Sequence, residues 1–177
     1  MRSKLFCAIL LVVGILASIT SGQRKSMPPM PFVDKGACPF ECCTYREWNV
    51  TKTTIARKNM NDASSIAFRM KTGEKVLGVT GVVITSKPGE VLVLKRTKLG
   101  RFDLKKGDKI FLLTNLGEGF HKIWFRGRIF EDAAYDETRF KVIQQPKAIW
   151  WVKVRNRRGQ IGWSRQPENF GNMDECG

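Results

Sequence analysis

The chain has 177 residues, with 31 lysines and arginines against 16 aspartates and glutamates, so its formal net charge is +15 at pH 7. This length accommodates one domain of ordinary size or two small ones and excludes a large multi-domain enzyme. Hydrophobic residues make up 42% of the chain and charged residues 27%, which excludes a wholly disordered protein. The excess of cations indicates an anionic partner without identifying it.

The first 22 residues have the pattern of a secretory signal peptide. Arg2 and Lys4 form a positive n-region, residues 5–16 form an apolar h-region, and small or polar residues follow as far as Gly22. The apolar run is shorter than the roughly 18–20 residues that span a bilayer, which disfavours a membrane anchor. We therefore expect a secreted or periplasmic protein with no transmembrane segment once residues 1–22 have been cleaved.

Four cysteines remain after Cys7 leaves with the signal peptide: Cys38, Cys42, Cys43 and Cys176. An even number of cysteines in an exported chain predicts two disulfides. A bridge between the neighbours Cys42 and Cys43 would be strained. This leaves Cys38–Cys42 with Cys43–Cys176, or Cys38–Cys43 with Cys42–Cys176. A four-cysteine zinc site is the alternative, but zinc sites usually have paired cysteines on both sides, and Cys176 stands alone. We expect no metal and no other cofactor.

Short apolar runs alternate with turn signals from Cys38 onward, which is the pattern of an all-β protein. Residues 23–37 contain three prolines and predict an extended, poorly ordered linker before the folded region.

Two turn signals predict β-hairpins. Lys87-Pro-Gly-Glu90 has proline and glycine at the positions that a type II turn requires, and predicts pairing of strands near residues 79–86 and 90–95. Asn156-Arg-Arg-Gly159 predicts the turn of a second hairpin within residues 150–164.

A short sequence repeat indicates that two parts of the chain share a local structure. Residues 68–76 (FRMKTGEKV) recur as residues 102–110 (FDLKKGDKI). Each copy reads as an apolar lead-in, a glycine–acid turn and a strand that enters the core. The matched phenylalanine and second lysine favour duplication over the chance similarity of two common turns.

Residues 104–110 (LKKGDKI), followed later by residues 150–163 (WWVKVRNRRGQIGW), resemble bacterial SH3-like domains. Those domains typically show a Lys-x-Gly-Asp turn, a Trp-x-Lys-Val strand, a glycine turn and a Gly-Trp exit strand. A first copy, over about residues 48–96, has the opening turn and the Pro-Gly signal but lacks the Gly-Trp exit. The resemblance implies tandem, disulfide-linked SH3-like barrels over residues 38–97 and 98–177, the second with an insertion at about 115–148.

The resemblance also implies a function. Such domains commonly bind cell-wall peptides or proteins and often accompany hydrolases, but this chain has no room for a catalytic companion. We therefore expect a non-catalytic binding or structural module of the cell envelope. The expected partner is a cell-wall peptide, an anionic envelope polymer or another envelope protein.

Residues suited to catalysis are few. His121 is the single histidine and reads as an ordinary strand residue among apolar neighbours. No Gly-x-Ser-x-Gly, Walker, dinucleotide or calcium-loop pattern occurs. A small carboxylate-dependent hydrolase is the alternative function, and its candidate acids are the pairs Glu131-Asp132, Asp136-Glu137 and Asp174-Glu175.

The predicted strand 150–155 supplies the candidate binding face. If Val152 and Val154 face the core, then Trp151, Lys153 and Arg155 point outward. An exposed aromatic side chain flanked by cations can stack on a peptide, a sugar or a base. The opposing interpretation is that the tryptophans pack under the insertion and the arginines are only solvated. The predicted ligand-binding residues are Trp151, Lys153, Arg155, Arg157, Arg158, Trp163 and Arg165.

Further cations recur along the chain, and basic barrels with aromatic side chains also bind nucleic acid. Because an exported protein seldom meets nucleic acid, a nucleic-acid-binding barrel is a lesser alternative to a module that binds envelope anions. These cations are Lys95, Arg96, Lys98, Arg101, Lys105, Lys106, Arg126 and Arg128.

Overall fold

The computed structural model describes residues 27–134 and 136–176, so the predicted signal peptide and the first residues of the predicted linker lie outside the described residues. The described residues form fifteen strands and one 3-10 helix, Pro167–Asn169, and every pair of strands is antiparallel. The prediction of an all-β protein is confirmed. The strands are β1 (Phe32–Lys35), β2 (Glu47–Val50), β3 (Thr54–Arg57), β4 (Ile66–Met70), β5 (Lys75–Lys87), β6 (Gly89–Val93), β7 (Thr97–Leu99), β8 (Phe102–Leu104), β9 (Lys109–Gly117), β10 (Phe120–Phe125), β11 (Arg128–Ala133), β12 (Phe140–Gln144), β13 (Lys147–Arg155), β14 (Ile161–Ser164) and β15 (Phe170–Gly171).

The strands form two sheets and a small hairpin. The larger sheet has the order β15-β2-β5-β13-β14-β3-β4, with β1 also paired to β5. The smaller sheet has the order β11-β10-β9-β6-β12, and β7 pairs with β8. The larger sheet takes its strands from residues 32–87 and 147–171, which we refer to as the outer unit. The smaller sheet and the hairpin take theirs from residues 89–144, the inner unit.

The sheets divide the chain differently from the predicted segments. The predicted boundary between residues 97 and 98 falls within β7, inside the inner unit. The residues predicted as an insertion, about 115–148, form β10, β11 and β12, which belong to the smaller sheet. The chain then returns to the larger sheet, where β13 pairs with β5 along its whole length. The outer unit is therefore made of two separate segments, with the inner unit between them in the sequence.

The prediction of a hairpin with its turn at Pro88 and Gly89 is wrong. Gly89 lacks the positive φ that a type II turn requires. The chain instead continues from β5 into β6, which pairs with β9 and β12. A Cβ on Gly89 would lie 2.9 Å from Cδ of Pro146 and 3.1 Å from Cβ of Leu112. Glycine is needed here because the backbone passes close to its neighbours between two sheets.

The second predicted hairpin is confirmed. Strands β13 and β14 pair from Val152–Ser164 to Arg155–Ile161. Gly159 closes the connecting turn with a φ of 78°, a conformation that glycine adopts without steric cost.

The prediction of a poorly ordered linker is wrong for residues 32–35, which form β1 and pair with β5. The prolines of this segment precede the strand, so the backbone donors of β1 remain available for pairing. Asp34 is buried, and Nζ of Lys122 in the inner unit lies 2.8 Å from its carboxylate. Phe32 packs against Phe111 and Trp124 of the inner unit. The segment before Cys38 therefore connects the two units.

The two units repeat one order of strand pairing. We number the strands of each unit from one to seven in sequence order and leave β1 out. In both units strand 1 pairs with strands 4 and 7, and strand 2 pairs with strand 3. Strand 5 pairs with strands 4 and 6. In the outer unit these are β2, β3, β4, β5, β13, β14 and β15, and in the inner unit β6 to β12.

The repeated sequence forms the same turn in both units, between the third and fourth strands. The turn glycine has a positive φ and donates its N–H to a carbonyl of the first strand, and the acid after it accepts from the N–H of a lysine before it. The side chain before each turn, Met70 or Leu104, is fully buried. The hydrogen-bonded pairs are Gly73–Val50 and Lys71–Glu74 in the outer unit, and Gly107–Val93 and Lys105–Asp108 in the inner unit.

Gly78 of β5 packs directly against the fully buried indole of Trp48. A Cβ at Gly78 would lie 2.5 Å from Cε2 of Trp48, and the indole is held because its Nε1 donates to the Thr44 carbonyl. We therefore expect Gly78→Ala to lower the free energy of unfolding by about 2–3 kcal/mol, measured by chemical denaturation. Val79→Ala, at the exposed neighbouring position, is the control with an expected loss below about 1 kcal/mol. Equal losses in the two variants would contradict this packing argument.

The four cysteines form two disulfides, as predicted, and the connectivity is Cys38–Cys43 with Cys42–Cys176. All four sulfur atoms are joined in pairs, so they do not form the alternative zinc site. Among the described residues, no helix combines the length and the apolar character that a membrane crossing requires.

Candidate functional site

The tip of the β13–β14 hairpin presents two consecutive arginines to solvent. The side chain of Asn156 accepts the N–H groups of Arg158 and Gln160, each at 3.0 Å, and so holds the turn in shape. Arg157 and Arg158 are both exposed. The backbone of the turn thus presents two adjacent arginines whose side chains take no part in holding the turn.

A groove of about 580 Å³ opens between this hairpin tip and the turn that joins β4 to β5. An adjoining cleft of about 370 Å³ shares Lys75 and Arg157 with the groove and extends to Arg155. Arg157 therefore lies between two connected depressions. The cations that line them are the outer basic cluster: Arg69, Lys75, Arg155, Arg157 and Arg158.

The outer basic cluster carries more positive charge than its acids neutralise. Nζ of Lys75 lies 2.6 Å from Oε1 of Glu47. The hydrogen bond from Lys75, together with the charges of Lys75 and Arg157, lowers the pKa of Glu47 below its usual value. Glu74 accepts a backbone N–H within its own turn. The four arginines of the cluster form no ion pair with any residue that the structure describes.

Trp151 is buried, with 4% of its surface exposed, so the prediction that it forms an outward-facing aromatic surface is wrong. Val152 and Val154 face the core, as the prediction assumed. However, Trp151 pairs across the sheet with Val82, which is also buried, so the face opposite the core is covered at this point. The alternation of side chains along a strand assigns each residue to one of two faces, but it does not show whether either face is exposed to solvent.

Trp163 and Arg165 lie apart from the groove, at a different cleft of about 450 Å³, and Lys153 lines neither the groove nor its adjoining cleft. Nζ of Lys153 lies 5.5 Å from the ring centroid of Trp163, a cation–π contact between cross-strand partners. Arg165 forms an ion pair with Asp62. The predicted binding set is thus divided. Arg155, Arg157 and Arg158 belong to the outer basic cluster, whereas Trp163 and Arg165 face another cleft and Lys153 contacts the Trp163 ring.

Sequence reasoning missed Arg69 and Lys75. Both lie far from the hairpin in sequence and reach it only because β4 and the start of β5 lie beside the β13–β14 turn. The repeat was the signal that could have found them, because both belong to its first copy.

Three of the six carboxylates proposed for a hydrolase interact with separate neighbouring groups. Glu131 lies 4.0 Å from Lys122, and Asp132 accepts the N–H of Ala133. Asp136 accepts hydrogen bonds from the side chain and the backbone N–H of Thr138 and from Arg139, and these bonds lower its pKa to about 2. At neutral pH Asp136 is therefore a carboxylate, which cannot act as a general acid.

His121 is half-buried in β10. Burial lowers the pKa of its imidazole, although a hydrogen bond with the Gly119 carbonyl opposes this shift.

Comparison of the chain with protein families, with curated proteins and with solved structures finds no match in any of the three.

Proposed function

We propose that the protein is an exported, non-catalytic binding module of the cell envelope that holds an anionic envelope polymer at the outer basic cluster. The observation that carries this proposal is the groove at the β13–β14 tip, whose arginines form no ion pair with any described residue. Arginine presents its donors as a planar fork that fits the oxygens of phosphate or carboxylate. Four such groups beside two connected depressions suit a ligand with repeated charges.

In this proposal each unit is an SH3-like barrel, and the second barrel is inserted into the first between β5 and β13. The repeated order of strand pairing supports it, as do the glycine–acid turns at Gly73 and Gly107. The Trp-Val-Lys-Val strand, glycine turn and Gly-Trp strand that carry the resemblance form the β13–β14 hairpin.

Two further observations support the proposed location. The two disulfides fit the oxidising conditions outside the cytoplasm, where such bonds persist. The pattern of residues 1–22 supplies the export signal.

The test is cosedimentation of the purified mature protein with isolated envelope material over a series of salt concentrations. We expect tight binding at low salt that weakens steeply as salt increases, because each cation that contacts the polymer releases counterions. The same material stripped of its anionic polymers is the control and should lose most of the bound protein. Absence of binding at low salt, or binding that does not change with salt, would overturn the proposal.

A further inference from the structure

We propose that the inner unit carries a second polyanion site, formed by Lys105, Lys106, Arg126 and Arg128, and that one linear polymer bearing phosphate groups occupies both sites. This inference rests on the proposed function and names the class of ligand and the way it is held. It follows from the correspondence between the two units, because each unit places a glycine–acid turn beside the tip of a hairpin.

The first element of the second site is the turn that joins β8 to β9. It corresponds to the turn beside the outer basic cluster, since Lys105, Gly107 and Asp108 repeat the hydrogen bonds of Lys71, Gly73 and Glu74. In the inner unit this turn carries two adjacent exposed lysines, Lys105 and Lys106.

The second element is the tip of the β10–β11 hairpin, which corresponds by pairing order to the tip of the β13–β14 hairpin. Its central residues, Arg126 and Gly127, have φ values of 48° and 82°, as a tight two-residue hairpin turn requires. Arg126 and Arg128 flank the glycine and are both exposed. Each unit therefore presents two arginines at the corresponding hairpin tip.

The hairpin tip and the turn meet in the inner unit, as they do at the outer groove. Nη2 of Arg126 lies 3.4 Å from Oδ1 of Asp108, which is the acid of the repeated turn. The neighbouring ion pair is repeated as well: Lys109 pairs with Glu90 at 3.3 Å, where the outer unit has Lys75 and Glu47. This contact places the tip of the β10–β11 hairpin against the β8–β9 turn, as the outer hairpin tip lies beside the β4–β5 turn. Lys105 and Lys106 take the turn positions of Lys71 and Thr72, so the inner unit carries its cations at different positions of the same turn.

The charge of this second surface is only partly neutralised. Asp108 pairs with Arg126, but Lys105, Lys106 and Arg128 have no ion pair with any residue in the described ranges. The Arg126 side chain is 44% exposed, and ion pairs at the surface contribute little to stability, so Arg126 can turn to a phosphate at small cost while Asp108 keeps its bond to the Lys105 N–H. The surface can therefore accept phosphate groups.

Two sites on one protein change how affinity depends on polymer length. Once a polymer is bound at one site, its contact with the second becomes intramolecular, and the combined affinity can exceed either single affinity by about 100-fold or more. The units are joined directly, since only Pro88 separates β5 from β6 and only Gln145 and Pro146 separate β12 from β13. A short chain of phosphates occupies each site separately, whereas a long chain occupies both.

The test uses isothermal titration calorimetry of the full mature protein with short-chain and long-chain polyphosphate. For wild type we expect two short chains per protein, and one long chain bound about 100-fold more tightly than a short chain. The variant Lys105→Ser/Lys106→Ser should bind one short chain and lose most of the advantage of the long chain. Lys98→Ser/Lys141→Ser removes two exposed cations elsewhere on the inner unit and should behave as wild type, and matched thermal melting of all variants checks that they fold.

The outcomes separate this inference from the proposed function. If wild type binds one short chain, or if Lys105→Ser/Lys106→Ser matches its control, the second site is overturned while the outer site stands. If wild type binds neither polyphosphate nor envelope material, the proposed function itself fails. Single-stranded DNA of matched charge distinguishes the source of the phosphate: weaker binding than polyphosphate supports an envelope polymer, and tighter binding would assign both sites to nucleic acid.

Discussion

Replacing Arg157 and Arg158 with serine is expected to weaken binding of the protein to anionic envelope material by about 100-fold at low salt. Hydrogen bonds between charged groups contribute on the order of 1.5–3 kcal/mol each, and exposed arginines fall at the lower end of this range, so the loss of two such contacts accounts for a change of about 100-fold. The slope of log affinity against log salt should also become shallower by about one for each arginine removed. The measurement is cosedimentation over a salt series, as for the wild-type protein.

The control is Lys52→Ser/Lys58→Ser, which removes the same amount of charge from exposed positions of the outer unit that do not line the groove. This variant should lose less than about threefold in affinity, since only the long-range field changes. Both variants should keep the wild-type melting temperature, because the hydrogen bonds of the hairpin turn use the Asn156 side chain and backbone groups and do not involve the arginine side chains. Equal losses of affinity in the two variants would contradict a site at the hairpin tip.

Removing the Cys42–Cys176 bridge is expected to lower the free energy of unfolding by about 5 kcal/mol, against about 2 kcal/mol for the Cys38–Cys43 bridge. The reason is the length of the loop that each bridge closes in the unfolded chain. The first joins residues 134 apart in sequence and the second joins residues only 5 apart. The larger loop contains the inner unit and all of the outer unit except β1, so its closure restricts most of the unfolded chain.

The measurement compares Cys42→Ser/Cys176→Ser with Cys38→Ser/Cys43→Ser by chemical denaturation. The second variant is a matched control, because each pair of substitutions removes one bridge and the two bridges lie side by side. The C-terminal segment remains attached in the first variant through Arg46, which donates to Oδ1 of Asn172 and to the Asp174 carbonyl. Equal losses of stability would show that loop length does not govern the effect of these bridges.

Features that depend on neighbouring residues could be predicted from the sequence. The hairpin of residues 150–164 follows from its glycine turn, and the all-β fold follows from the alternation of apolar runs with turn signals. Geometry along the chain excluded a bridge between Cys42 and Cys43, and the structure has one of the two connectivities that remained. The repeat was visible as a string of residues, and it forms the same hydrogen-bonded turn twice.

Features that depend on distant residues could not be predicted in this way. The Pro88-Gly89 pair satisfies the local requirements of a turn, yet β5 and β6 do not form a hairpin. Instead β6 pairs with β9, and β5 pairs with β13. For the same reason Trp151 was placed on an exposed surface, whereas the sheet buries it beside Val82. Arg69 joins Arg157 only after β4 and β13 have taken their places in one sheet.

The sequence by itself determined the charge, the turns, the all-β class and the pairing of cysteines to within two choices, because each of these depends on composition or on residues a few positions apart. Only the tertiary structure decided which strands pair, which face of β13 is covered and where the cations gather. Those outcomes depend on contacts between segments as far apart as β5 and β13, with the whole inner unit between them. The net charge of +15 indicates an anionic partner but no location for it. The candidate site exists because folding brings arginines from separate segments to the same groove.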